Sequence, residues 1–290
     1  MLFRNTMTVA AHFLLVLQTL FMVCCSGQKK QVDNTPQKAG PSPVFVVTMP
    51  GAEKCHTQGL TIIEEDLFVS CVEKEARKAW LYRYHLPEGF PEEGTDISPP
   101  QKLDITQDGK YHPSGLDHDE ECLWVAVAHY RPVIAKSKVM CISPQTMKVK
   151  SSFEVDDHIG TLACLDTMLM LLNWDAKNIY LFKKDGRQVG KHDSPGKAAY
   201  QDCKGHGKSR TATCSAPLRS SAERGARTDR LSFQANGEPG WVVKEKDIIR
   251  HHEVNMGREG FAFTKNYRMF LPEDFPDARL YIYKIPSSIY

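Results

Sequence analysis

The sequence "YHPSGLDHDEECLWVAVAHYRP" at residues 111–132 indicates the fold, because its pattern recurs along the chain. A histidine precedes a glycine, and a strand-like apolar run follows after a polar break. Similar stretches are "HTQGLTI" at 56–62, "DHIGTLA" at 157–163 and "GREGFAF" at 257–263. A unit repeated at roughly 45-residue intervals is typical of the blades of a β-propeller.

Each unit also contains several strand-like runs, such as "IYLFKK" at 179–184, whose period of two is typical of β-strands. The unit after Gly260 has only three runs, whereas an extra run, "VFVVTMP" at 44–50, precedes the first unit. An N-terminal strand that completes the last blade would remove an exposed sheet edge. The sequence therefore predicts an all-β protein with a single five-bladed propeller at 44–290. Six blades would require two units within 205–247.

The N-terminus predicts a secreted protein. Residues 1–27 combine Arg4 with the apolar stretch 8–25 and small residues beyond it, as in a cleaved signal peptide. The alternative is an uncleaved signal anchor. Residues 28–43 are polar and proline-rich, which is typical of a disordered lead-in. No later segment is long and apolar enough to span a membrane, so we expect a soluble extracellular protein.

Charge and cysteine content agree with this location. The net charge of +2 gives no reason to expect a nucleic-acid partner, and we expect a monomer. Seven cysteines follow the signal segment, and an oxidising compartment favours disulfides. The strand order places three pairs at common strand ends, which predicts the bridges Cys55–Cys71, Cys122–Cys141 and Cys203–Cys214. Cys164 is left as a buried free thiol.

One stretch does not fit the repeat. Residues 208–230 are rich in Ser, Thr, Ala and basic residues, and Leu218 is their only large aliphatic. Such a composition does not supply the buried face that a blade strand needs. We therefore expect 208–239 to be an irregular or disordered insertion. The alternative is an altered exon or reading frame that damages the fourth blade.

The strand order also predicts a functional site. In an antiparallel hairpin, the start of the first strand and the end of the second lie at the same end. The residues around each repeat glycine should therefore meet the ends of the second strands at one mouth of the central channel. The candidate ligand-binding residues are His56, Gln58, His112, Asp117, His129, Tyr130, Arg131, His158, Asn173, Trp174, Asp202 and Glu259.

The chemistry of these residues leaves several interpretations open. His56, His112 and His158 could hold a divalent metal whose bound water is a nucleophile, or each could cap its own turn. Arg131 with Tyr130 and Trp174 could hold an anionic or sugar-like ligand, or form a packed rim. Asp117, Asp202 and Glu259 could act as paired carboxylates in glycosidic chemistry, or be solvated.

At "HPSGLDHDEECLWVAVAHYRP", "DDHIG", "YQDC" and "FLPEDFPDARLYIYKI", the chain resembles a family of secreted proteins of unknown function that look like β-propellers. The resemblance covers 44–207 and 240–286 and fails across 208–239. It implies the propeller architecture but no activity, substrate or cofactor. It draws attention to His112, Asp117, His129, Arg131, His158 and Asp202.

Two functions follow as hypotheses. The favoured one is a secreted binding module that holds a small-molecule or glycan ligand at the channel mouth. The alternative is a metal-assisted hydrolase of esters, lactones or phosphoesters that uses the channel histidines. The fold does not choose between them, because propellers host many functions.

Overall fold

The computed structural model describes residues 41–52, 54–86, 97–131, 134–196, 198–218, 224–235, 239–251, 253–272 and 278–285. The predicted signal peptide and most of the predicted lead-in lie outside these residues. Within the described ranges, no helix has the length and apolar character needed to cross a bilayer.

The described residues form five four-stranded antiparallel sheets, which are the five predicted blades. Blade 1 contains β2 (His56–Ile63), β3 (Asp66–Glu73), β4 (Lys78–His85) and β5 (Gln101–Asp104). Blade 2 contains β6 (His112–His118), β7 (Leu123–Ala128), β8 (Ser137–Ser143) and β9 (Lys148–Val155). Blade 3 contains β10 (Ile159–Leu165), β11 (Met168–Asn173), β12 (Asn178–Lys183) and β13 (Gln188–Asp193). Blade 4 contains β14 (Asp202–Gly205), β15 (Thr211–Pro217), β16 (Arg224–Gln234) and β17 (Gly240–His251). A 3₁₀ turn (Met256–Arg258) leads into blade 5, which contains β18 (Gly260–Phe263), β19 (Tyr267–Leu271), β20 (Arg279–Lys284) and β1 (Phe45–Thr48).

The N-terminal strand closes the ring as predicted. β1 pairs antiparallel with β20, with Val46 opposite Tyr281, and so becomes the outermost strand of blade 5. This pairing gives the last blade its fourth strand and covers the edge of β20. The five-blade prediction is confirmed, and the six-blade alternative is wrong.

Burial falls from the inner strands to the outer ones. Every residue of β7 is buried, because blades pack against both of its faces. By contrast, most residues of the outer strand β9 are exposed. The near-continuous apolar sequence of the second strands and the polar sequence of the fourth strands follow from this gradient.

The recurring glycines lie where inner strands approach too closely for a side chain. A Cβ added at Gly59 would lie 2.7 Å from Cα of Gly115. A Cβ added at Gly260 would lie 2.8 Å from Cβ of Leu60. Glycine therefore recurs at these positions because a side chain there would clash with the neighbouring inner strand near the propeller axis.

The expectation for 208–239 is wrong in the described part of this stretch. β15 and β16 supply the second and third strands of a complete fourth blade, so a damaged blade need not be invoked. The prediction failed because it required large aliphatic side chains in the core. Small residues, notably Ala212, Ala216 and Ala226, fill much of this core together with Leu231.

The structure forms the three predicted disulfides, Cys55–Cys71, Cys122–Cys141 and Cys203–Cys214. Cys164 is free and buried, also as predicted. Burial raises the pKa of the Cys164 thiol, and the nearby carboxylates Asp117 and Asp119 raise it further. The thiol therefore stays protonated and unreactive.

Candidate functional site

Three first strands contain a register irregularity close to the mouth of the channel. The shifts lie between Thr57 and Gly59 in β2, between Pro113 and Leu116 in β6, and between Ile159 and Thr161 in β10. Such bulges change the direction of neighbouring side chains and are common next to functional sites. They also explain how His112 and His158 lie at equivalent positions of their blades, although the number of residues between the histidine and the repeat glycine differs.

One contact at the mouth joins two imidazoles from neighbouring blades. Nδ1 of His112 lies 3.1 Å from Nε2 of His158, so the rings share a hydrogen bond. Burial lowers the pKa of His112 to about 3, with further lowering from His158, His56 and Lys74. Burial also lowers the pKa of His158 to about 4, although Asp157 partly opposes this shift. Both imidazoles are therefore neutral near pH 7.

One nitrogen of this pair lacks a partner. His158 is only 2 % exposed, and among the described residues its Nδ1 has no hydrogen-bond partner. A buried polar atom without a partner costs free energy unless water or a ligand supplies one. Trp174, which is 54 % exposed, lies beside this imidazole with the ring centroids 6.2 Å apart.

Aromatic rings extend from the pair toward blade 1. The rings of Tyr130 and His112 meet edge-on, with their centroids 5.3 Å apart. The ring of Tyr111 stacks on that of Tyr130, with their centroids 5.4 Å apart. The ammonium of Lys74 lies 5.3 Å from the centroid of the Tyr130 ring. The mouth therefore has a continuous row of rings, which we call the aromatic row: Tyr111, Tyr130, His112, His158 and Trp174.

A second group lies where blades 1 and 5 meet. Nε2 of His56 is 4.0 Å from a carboxylate oxygen of Glu259, and its Nδ1 is 3.0 Å from Nε2 of Gln58. His56 is thus turned toward Glu259 and Gln58. In the described part of the chain, no three His, Cys, Asp or Glu side chains lie close enough to hold a metal ion. The predicted metal set of His56, His112 and His158 is not assembled.

The predicted carboxylates Asp117 and Asp202 are not exposed at the mouth. Oδ2 of Asp202, in blade 4, accepts hydrogen bonds from the amides of Leu60 in blade 1 and Phe261 in blade 5, both at 2.9 Å. Oδ2 of Asp117, in blade 2, accepts from Cys164 in blade 3 and Gly205 in blade 4, both at 2.8 Å.

Together, these four hydrogen bonds connect the inner strands of all five blades. Both carboxylates are buried. Their role as ligand-binding or glycosidic residues is not supported, because both side chains are buried and backbone amides of neighbouring blades occupy Oδ2 of each.

Lys204 completes this axial cluster. Its ammonium lies 2.5 Å from Oδ1 of Asp202, and Lys204 is itself buried. Burial raises the pKa of Asp202 to about 6, an effect that Lys204 and the amide bonds only partly offset. Burial raises the pKa of Asp117 as well, and Lys204 again acts in the opposite direction.

The remaining predicted residues contribute less. Oδ1 of Asn173 accepts from the amides of Lys177 and Asn178, so it caps the turn after β11. His129 is near enough to lower the pKa of His158 by its charge. Arg131 is exposed and has no ion-pair partner among the described residues.

The sequence analysis did not select Tyr111, Lys74 or Lys204. Tyr111 directly precedes His112 and could have been found as part of the same strand start. Lys204 stands two residues after Asp202, a spacing that places both side chains on one face of a strand. Lys74 follows the end of a second strand, the place that also provides His129 and Trp174.

Residues 93–230 match the model of a "Family of unknown function (DUF6454)". This match confirms the resemblance to an uncharacterised propeller family. A search of curated proteins finds no match.

Similar solved structures include glutaminyl cyclase from Myxococcus xanthus, with 12 % identity over 84 % of this chain and 97 % of that chain and a TM-score of 0.51. The phage phi92 endosialidase has 10 % identity over 84 % and 60 % of the two chains, with a TM-score of 0.45. Virginiamycin B lyase from Staphylococcus aureus has 10 % identity over 83 % and 99 %, with a TM-score of 0.38. At 12 % identity, the similarity to the glutaminyl cyclase supports the fold alone.

Proposed function

We propose that this five-bladed propeller, part of which matches a family of unknown function, binds a small carbohydrate-like ligand at the mouth lined by the aromatic row. The observation that carries the proposal is the unpartnered, buried Nδ1 of His158 beside the exposed ring of Trp174. Three disulfides and the signal peptide predicted from the sequence agree with an extracellular binding protein.

The hydrogen-bond pattern of the pair favours a hydroxylated ligand. If Nε2–H of His158 donates to His112, Nδ1 of His158 is an acceptor; if His112 donates, that nitrogen carries a proton and is a donor. A hydroxyl group can donate or accept, so it satisfies either tautomer.

The rings favour the same class. Sugars combine apolar ring faces with hydroxyl edges, and Trp and Tyr offer flat faces next to polar groups. Trp174 provides such a face at blade 3, whereas at blade 2 the Tyr130 ring already stacks on Tyr111 and contacts Lys74. The neutral imidazoles between them add hydrogen bonding without a charge.

Trp174→Ala and His158→Gln are expected to weaken the binding of a saccharide at least about tenfold, which corresponds to about 1.4 kcal/mol. The measurement is titration calorimetry with a panel of neutral mono-, di- and trisaccharides. His85→Gln serves as the control, because His85 is an exposed histidine far from the mouth that forms a surface pair with Asp66. If no saccharide binds, or if all three variants bind like the parent protein, the proposal fails.

The hydrolase alternative is less well supported, because only two imidazoles converge among the described side chains. Elemental analysis after dialysis against Zn²⁺ and Mn²⁺ separates the two functions. We expect less than one metal ion per chain. One tightly held ion that is lost in both His112→Gln and His158→Gln would favour the hydrolase instead.

A further inference from the structure

The two ends of the aromatic row carry opposite charges. At the end nearer blade 1, the ammonium of Lys74 lies 5.3 Å from the centroid of the Tyr130 ring. At the blade 3 end, the carboxylate of Asp157 accepts hydrogen bonds from the His158 amide at 2.7 Å and from the Tyr180 hydroxyl at 2.6 Å. A ligand that lies along the row therefore meets a cation at one end and an anion at the other.

The ammonium of Lys74 is available to a ligand. Lys74 is exposed and forms no ion pair within the part of the chain that the structure describes. Its acidic neighbours in the sequence do not pair with it, because Glu73 accepts a hydrogen bond from Nε1 of Trp80 at 3.0 Å and Glu75 takes part in no described ion pair. The contact with Tyr130 leaves the charge of Lys74 in place, since the aromatic ring is itself neutral.

A second cation stands at the same end of the row. Arg131 directly follows Tyr130 and is exposed, and no carboxylate of the described ranges pairs with it. Burial is the main cause of the low pKa of His112, and the charge of Lys74 is among those that lower this pKa further. The end of the row nearer blade 1 therefore has a surplus of positive charge.

We propose that the mouth prefers saccharides that carry a carboxylate, of the uronic acid class, with the acidic sugar nearer blade 1 and a neutral sugar beside Trp174. This inference rests on the proposed saccharide function and specifies its ligand. The carboxylate would form charge-assisted hydrogen bonds with Lys74 and with the guanidinium of Arg131. A neutral sugar at blade 3 would place its hydroxyl groups near Nδ1 of His158 and keep the carboxylate away from Asp157.

The test compares uronate disaccharides, cellobiouronate and digalacturonate among them, with their methyl esters by titration calorimetry of the full purified chain. The ester keeps the sugar but removes the charge. We expect the best-bound uronate to bind at least about fivefold more tightly than its ester at low ionic strength, and added salt to reduce this preference, because exposed ion pairs are screened.

Lys74→Gln should remove most of this preference. Lys102→Gln is the matched control and should keep it. The Lys102 ammonium also lies over an aromatic ring, 4.8 Å from the centroid of Trp80, but it belongs to the outer strand of blade 1. Trp174→Ala should weaken acid and ester by the same factor, because it acts on the neutral sugar.

The outcomes separate this inference from the proposed function. If acids and esters bind equally and Trp174→Ala weakens both, the saccharide site stands and the preference for a carboxylate is wrong. Equal effects of Lys74→Gln and Lys102→Gln would also overturn the preference. If no acid and no ester binds, both the preference and the saccharide site fail.

Discussion

Asp202→Asn is expected to lower the free energy of unfolding by about 3–5 kcal/mol, the usual cost of breaking a buried ion pair. The substitution keeps the volume of the side chain but removes the negative charge next to the Lys204 ammonium, 2.5 Å away. It also turns an NH₂ group toward donors, because the two Asp202 oxygens accept from Leu60, Phe261, Cys203 and Lys204. The links from blade 4 to blades 5 and 1 would weaken together.

Chemical denaturation followed by tryptophan fluorescence measures this change. Lys204→Met in the Asp202→Asn background should recover part of the lost stability, since the ammonium is then no longer buried alone. The control is Asp156→Asn, because Asp156 is 89 % exposed in its pair with Lys136 and should change stability by less than about 1 kcal/mol. Similar small losses for Asp202→Asn and Asp156→Asn would show that the axial carboxylate does not hold the blades together.

Gly205→Ala is expected to destabilise the fold by about 3 kcal/mol or more, at the upper end of the cost of overpacking. The new methyl group would lie 1.6 Å from the Cys164 carbonyl oxygen, so β14 and β10 would have to separate. That movement would also break the two amide hydrogen bonds to Asp117, because Gly205 and Cys164 are their donors.

Gly240→Ala is the matched control for this prediction. Gly240 lies at the start of an outer strand, and a Cβ added there meets nothing within 4 Å. Its unfolding midpoint should equal or slightly exceed that of the parent protein, since Ala restricts the unfolded chain. A Gly205→Ala variant as stable as Gly240→Ala would contradict the close approach of the inner strands.

The sequence was sufficient to predict the blades, because strand alternation and a repeated glycine are local signals. The closing strand followed from the missing fourth run after Gly260, and the bridges followed from strand order. Position at the mouth was also predictable for His112, His158 and Trp174, since hairpin geometry fixes which strand ends meet.

The roles of the carboxylates were not predictable from the same signals. Whether Asp117 and Asp202 face a ligand or neighbouring amides depends on the width of the axis, which is set by packing of strands far apart in the sequence. Likewise, the pairing of His56 with Glu259 rather than with His112 depends on side-chain direction near a bulge. The strands of the fourth blade within 208–239 were missed because small side chains, such as Ala212, can fill a narrow core that composition rules assign to large ones.

The account depends on a neutral imidazole pair at the channel mouth, in which His158 is buried and His112 half-buried. An NMR titration of the histidine ring protons tests it most directly. The resonances of His112 and His158 can be assigned with the variants His112→Gln and His158→Gln. The account predicts pKa values of about 3 and about 4, with both rings neutral throughout the physiological range. Protonation of either ring near its ordinary pKa, about 6.5, would contradict the account.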